Sequence, residues 1–304
     1  MKKFITVLVF TAMTFPVHAA SLEIVTVANG IHAIVGELGQ RSPTNFANNA
    51  TFGAIETASG VVLIDPGGSV RGAAVIESAI NQVTDKFVTH VINTGGQDHR
   101  WLGNGYFKAK GAKIIASLDA VNDQKERVHI QLEGLEFLIG RENLAGTEPV
   151  YADDPFEGML KLIIGGVDVE FHHTGGAHTP GDSFVWLPAS KIMFTGDIVY
   201  LERLLGIIEV TNTKAWVKTF NAMATFNPKV IVPGHGRPAD MATAKAETLD
   251  YLVNLRTKIR AVHTRGENIK TGTAINQRAF SKLQNFNGLA RRNAQAVFIE
   301  MEFD

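Results

Sequence analysis

The sequence predicts an α/β fold. Three observations carry this. Short apolar runs such as "VVLI", "KIMF" and "KVIV" have the length and β-branched content of buried strands. Stretches between them carry apolar residues at helical spacing. No low-complexity linker or short-period repeat interrupts the alternation, so helices are expected to cover sheets around a shared core.

The elements follow in order. "TFGAIETASGVVLIDPGG" reads as two strands joined by a turn at Ala58 to Gly60, the second running from Val61 to Ile64 and ending at Asp65. Arg71 to Val83 places Val75, Ile76, Ala79, Ile80 and Val83 on one helical stripe. Phe87 to Ile92 and "AKIIAS" read as strands, residues 120 to 140 as helix, and "GTEPVYADDP" as a loop. The second half repeats the grammar. "LKLIIGGVDVEFHH" is a hairpin across Gly165-Gly166, followed by strands in "SFVWLP" and "KIMFTGD". Thr213 to Met223 is a helix with its cap among Thr211 to Thr213. "KVIVPGHG" is a strand entering a glycine-rich turn, and Glu247 to Val262 is a helix with Leu249, Leu252, Leu255, Ile259 and Val262 on one face. Residues 266–304 form a C-terminal extension expected to pack on the same domain.

Composition bounds the function. The 304 residues are 45% hydrophobic and 19% charged, enough apolar material for a large core. A formal net charge of -1 gives nucleic acid no basic surface to bind. The start, "MKKFITVLVFTAMTFPVHAA", places two lysines before an apolar run and an Ala-rich exit, the pattern of a secretory signal peptide over residues 1–20. The mature protein is then expected in a bacterial periplasm, with no membrane span. There is no Cys, so any metal site must use His and carboxylates, a donor set that suits zinc, iron or manganese.

The chemistry concentrates where strands end. Asp65 follows "VVLI", Asp98 and His99 follow "VTHVINT", His178 follows "VEFHHTGGA", Asp197 follows "KIMFTG", and His235 follows "KVIVPG". One Asp or His at a strand end is ordinarily a turn residue. Five such turns, most beside glycine, point to one edge of a sheet where imidazoles and carboxylates converge, the ligand set of a catalytic zinc.

These stretches resemble the metallo-β-lactamase-fold hydrolases. The resemblance spans roughly residues 22 to 255 and rests on "NNATFGAIETASGVVLIDPGG", "AHTPGD", "TGD" and "PGHG" in that order. Signal and "GHG" turn together are similar to zinc metallohydrolases found beside periplasmic quinoprotein systems. The resemblance implies an αββα sandwich of two mixed sheets with outer helices, over residues 21–265. It implies that His178 serves a first metal, that Asp197 bridges two metals, that His235 serves the second, and that Asp65 supports the ligands from behind.

The departure is "GGQDHR", where the family reads His-x-His-x-Asp-His. Without a gap, His99 stands for the aspartate and Arg100 for the last histidine. With a one-residue slip, Asp98 and His99 keep the Asp-His roles. A third arrangement is a re-formed site of His99, His178, Asp197 and His235. Both registers strip the first site to His178 alone among its three usual histidines. The expectation is a periplasmic hydrolase with one metal, zinc first and iron or manganese after it. Its ligands come from Asp98, His99, His178, Asp197 and His235. It cleaves an ester, thioester, lactone or amide of a small molecule. Asp98 or Asp197 would orient and deprotonate the water, and Arg100 would stabilise the oxyanion. The alternative is a ligand-binding descendant that has lost its metal.

Overall fold

Six strands, β1 (Glu23–Ala28), β2 (Ile31–Val35), β3 (Thr51–Thr57), β4 (Gly60–Ile64), β5 (Val88–Asn93) and β6 (Lys113–Ala116), lie side by side in chain order in one sheet. Five more, β7 (Met159–Ile164), β8 (Val167–His172), β9 (Phe184–Leu187), β10 (Ile192–Phe194) and β11 (Val230–Val232), form a second sheet in the order β11-β10-β9-β8-β7. This computed structural model describes residues 22–302. The signal peptide expected over residues 1–20 lies outside the described residues.

Both sheets are mixed. The meander β1 to β4 is antiparallel, while β4–β5 and β5–β6 are parallel and joined by helical crossovers. In the second sheet only β10–β11 is parallel, its crossover being the helix Thr213–Ala224. Side-chain alternation then builds three apolar layers. In β4, Val62 and Ile64 face the other sheet and meet Val185, Leu187 and Phe194. Val61 and Leu63 face outward against Ala73, Ile76 and Ile80 of the helix Val70–Ile80. On the far side, Phe184 and Met193 pack against Trp216, Phe220, Leu252 and Leu255. Every residue of β4 and β9 is buried because both faces are covered, which is why they read as unbroken apolar runs. The architecture is the αββα sandwich.

Most elements fall where the sequence placed them, and the differences have local causes. Asn212 caps Thr213–Ala224 by accepting from the Ala215 N–H. The helix expected from Glu247 begins as a π-turn, Lys245–Leu249, and becomes α-helical over Asp250–Thr264. The strands β1 and β2 have no counterpart in the sequence reading. β1 is a half-exposed edge without clean alternation. The tail contributes the helix Phe286–Met301, whose Val297, Phe298 and Met301 join the same apolar layer as Leu252 and Leu255.

Candidate metal centre

The turns after β4, β5, β8, β10 and β11 meet at one edge of the sandwich. Asp65 is held at φ 61°, the left-handed region that an Asp adopts more readily than most residues, and this turns its carboxylate back under the sheet. It accepts from the Thr94 N–H at 2.7 Å and from the Thr94 hydroxyl at 2.8 Å. The same carboxylate accepts from Arg100 Nη1 at 2.9 Å, and Arg100 Nη2 donates to Asp197 Oδ1 at 2.7 Å. Arg100 is fully buried, its remaining contacts being the carbonyls of Gly234 (2.9 Å) and Thr51 (3.2 Å). A Cβ at residue 234 would meet the Gly196 carbonyl oxygen at 2.3 Å and Arg100 Nη2 at 2.6 Å, so the close packing of these two turns and the guanidinium requires glycine there. The two carboxylates hold Arg100 charged against burial, which opposes the charge.

Above this buried triad lie the imidazoles. His99 Nε2 is 3.3 Å from Asp197 Oδ2, and His235 Nε2 is 3.1 Å from Asp197 Oδ1. One ligand atom from each of His99, Asp197 and His235 falls within 4.8 Å of the others. His235 donates its Nδ1 proton to the Asn49 carbonyl at 2.8 Å, and burial lowers its pKa well below 6.5. Its Nε2 is therefore a lone pair facing a carboxylate oxygen, two acceptors in contact. Asp197 Oδ2 and His99 Nε2 are buried without any hydrogen-bond partner. Buried acceptors that face one another unpaired cost several kcal/mol unless a cation joins them. This donor set fits one divalent ion.

His99 is set by its other nitrogen. Nδ1 lies 3.0 Å from Asp98 Oδ1 and 2.7 Å from Arg41 Nη2. A proton on Nδ1 is held by Asp98 and leaves Nε2 as a ligand. A lone pair on Nδ1 takes the Arg41 proton and turns Nε2–H toward Asp197. A cation at Nε2 selects the first state.

His178 lines the same cleft as His99 and His235 but stands outside the three-residue cluster. Its Nδ1–H donates to the Gly206 carbonyl at 3.0 Å, leaving Nε2 as an acceptor, and burial pushes its pKa down to about 4.

A family model described as the metallo-beta-lactamase superfamily matches residues 47–235. The chain belongs to the metallo-beta-lactamase superfamily. The type 2 metallo-beta-lactamase of Bacteroides fragilis is 27% identical over 169 residues, covering 53% of this chain and 59% of that protein. The linear primary-alkylsulfatase of Pseudomonas sp. (strain ATCC 19151) is 20% identical over 225 residues, covering 60% of this chain and 41% of that protein. The matches thus span less than two thirds of the length of either relative. Among solved structures, a metallo-beta-lactamase from Pontibacter korlensis superposes with a TM-score of 0.63 at 21% identity, covering 77% of this chain and 100% of that one. A stereoselective inverting sec-alkylsulfatase from Pseudomonas sp. gives 0.72 at 17% identity, covering 92% and 50%. At these identities the superpositions establish the fold.

Of the turn "GGQDHR", His99 faces Asp197, Arg100 lies beneath it, and Asp98 stands outside the cluster. The Asp98 carboxylate is instead clamped by Arg41, through Nε at 3.0 Å and through Nη2, and by the His99 N–H at 2.6 Å. Arg41 and His99 hold it ionised, far below the ordinary carboxylate range. Asp197 is likewise held ionised by Arg100 and His99. Neither carboxylate is a useful proton acceptor near neutrality, so the base roles expected for Asp98 and Asp197 have no support in their surroundings. Arg100 cannot serve a substrate oxyanion, because it is fully buried beneath the ligands, its two Nη groups held by Asp65, Asp197 and two carbonyls and its Nε enclosed without a partner. Arg41 and Arg203 went unread in the sequence. Neither sits in a motif, and only the fold brings them to the cleft.

A Cβ at Gly95 would overlap Asp182 Oδ1, and one at Gly96 would overlap Asp123 Oδ2. Gly95→His is therefore expected to cost about 1–3 kcal/mol by overpacking and to leave the metal content unchanged, checked by denaturation and elemental analysis. A second equivalent of bound metal in this variant would show that the lost site is recoverable.

Asp182 has its own signature. Burial, and then the charge of Asp197, push its carboxyl up to about 8, although Thr179 donates to it from its N–H (2.8 Å) and hydroxyl (2.6 Å). A carboxyl raised above its unfolded value of 3.8 stabilises fully below that value and loses the contribution as pH climbs through about 8. Asp182→Asn escapes this loss. Its Tm is expected to gain on wild type as pH rises from 5 to about 9. A difference in Tm that stays constant over that range would show that Asp182 is ionised throughout.

Proposed function

We propose that the protein is a periplasmic metal-dependent hydrolase with a single metal, zinc first, held by His99, Asp197 and His235. The observation that carries this is the cluster of His99, Asp197 and His235 ligand atoms within 4.8 Å of one another, with Asp197 Oδ2 and His99 Nε2 buried and without a hydrogen-bond partner. Superfamily membership supports the reaction class. A divalent ion at such a site supplies Lewis acidity and lowers the pKa of a bound water toward about 7.

The chain's own residues do the rest. Asp98 orients His99, Arg100 fixes the rotamer and charge of Asp197, and Asn49 sets the His235 tautomer. His178, kept neutral by burial, lines the cleft wall with its Nε2 as a hydrogen-bond acceptor facing the substrate. The ester, thioester, lactone or amide bond to be cut enters along a cleft of about 150 Å³ between the "GQRSP" loop, the turn after β10 and the helix Phe286–Met301.

Elemental analysis of protein purified without chelator tests the reading. One metal per chain is expected. Two would place a second ligand set that the overlaps at Gly95 and Gly96 leave no room for. None, even after soaking with zinc, iron or manganese, would turn the weight to a ligand-binding descendant. Signal cleavage is tested separately, by the mass of the protein recovered from the periplasmic fraction, expected to lack residues 1 to about 20.

A further inference from the structure

The cleft over His235 is cationic. Arg41, Arg203 and Arg292 line it with His99, His178 and His235, and no Asp or Glu is among its lining residues. Arg41 is spent on Asp98. Arg203 lies over the Tyr200 ring, 5.9 Å from its centroid, and keeps donors free for an anion. Its Nη1 donates to the Gly39 carbonyl at 3.2 Å, and its approach to His235 Nδ1 at 3.5 Å meets a nitrogen whose proton already belongs to Asn49. Its Nε is buried with no partner, and it pairs with no carboxylate among the described residues. The residue is half-buried, and a guanidinium whose buried Nε has no acceptor is costly unless an anion completes it. Arg292, exposed on the helix Phe286–Met301, adds a second positive charge at the mouth.

An apolar groove of about 300 Å³ opens beside this cleft and shares Arg41, Gln97 and Ile208 with it. Its walls are Ile130 and Leu138 of the helix Leu118–Ile139 and Ile208 and Val210 opposite. Ile130 is 67% exposed, an apolar side chain left in water on the wall of a concavity. Glu209 stands at the exposed rim.

We propose that the substrate is an amphiphile: a single anionic group, carboxylate, sulfate, sulfonate or phosphate, seated on Arg203 and Arg292, with an apolar chain laid along the Ile130–Leu138–Ile208 groove. This rests on the hydrolase reading only for the word substrate. The binding subsite stands on Arg203 and the groove by themselves.

The test uses probes with no bond to cleave. Octanesulfonate, methanesulfonate and octyltrimethylammonium are titrated calorimetrically into the full-length mature protein, below micelle-forming concentrations, with circular dichroism confirming the fold. Octanesulfonate is expected to bind one site about tenfold or more tighter than methanesulfonate, because the chain leaves water. Arg203→Gln should weaken octanesulfonate about tenfold or more, and Arg203→Lys should recover part of it. Ile130→Asp, on an exposed side chain, should weaken octanesulfonate and leave methanesulfonate unchanged. Octanoate and octylphosphonate then rank the anion. Equal binding of octyltrimethylammonium, or indifference to both Arg203→Gln and Ile130→Asp, would overturn the proposal. Protein that binds octanesulfonate as described yet holds no metal would sink the hydrolase reading and leave this subsite intact.

Discussion

Arg100→Met is expected to cost about 3–5 kcal/mol of stability, the loss typical when one partner of a buried ion pair is removed. The substitution keeps the volume of the side chain's stem but leaves Asp65 and Asp197 buried without their shared cation. Burial already pushes Asp65 up despite Arg100 and Thr94, whereas Asp197 is held low, chiefly by the Arg100 guanidinium. Without Arg100, Asp65 would rise further above its unfolded value. A group so raised stabilises below the unfolded pKa and loses that contribution as pH rises, so the damage should be greater at pH 8 than at pH 5. Urea denaturation at both pH values measures it. A loss under about 1 kcal/mol, the same at both, would mean the triad is not electrostatically coupled. Arg100→His, which supplies a ligand atom, is expected to fail in the same way, because a neutral ring cannot compensate Asp65.

Asp197→Ala and His235→Ala are each expected to lower metal affinity by more than the roughly 10–100-fold that loss of even an outer supporting residue costs. His178→Ala should lower it least, since His178 lies on the cleft wall outside the three-residue cluster. Competition with a chromophoric chelator gives the ranking, and hydrolytic activity should fall in the same order for the first two. His178→Ala is expected instead to lose turnover with metal retained, because it removes an acceptor from the cleft wall that faces the substrate. If His178→Ala lost metal as completely as His235→Ala, the re-formed four-ligand site would be the better description.

The local signals in the sequence were strong where one residue type does one thing. Buried strands under two covered faces are unbroken apolar runs, so β4, β9 and β10 were legible, and glycine beside Asp or His marked the turns of Asp65, Asp197 and His235. The meaning of "GGQDHR" was not legible. Two registers of that turn differ by one residue, and sequence spacing carries no information about which side chain points at Asp197. That was decided by packing: Asp182 and Asp123 fill the space over Gly95 and Gly96, and two buried carboxylates, Asp65 and Asp197, come from turns far apart in the chain to receive the guanidinium of Arg100. Arg203 and the apolar groove were equally invisible, because an arginine is identified as unpaired only when every carboxylate that might have met it has been placed elsewhere. The sequence by itself determined the fold and the donor types, since both follow from periodicity and from residue chemistry at strand ends. Which donors face one another, and which charge is left over, depends on contacts between residues distant in the chain, and only the tertiary structure decided that.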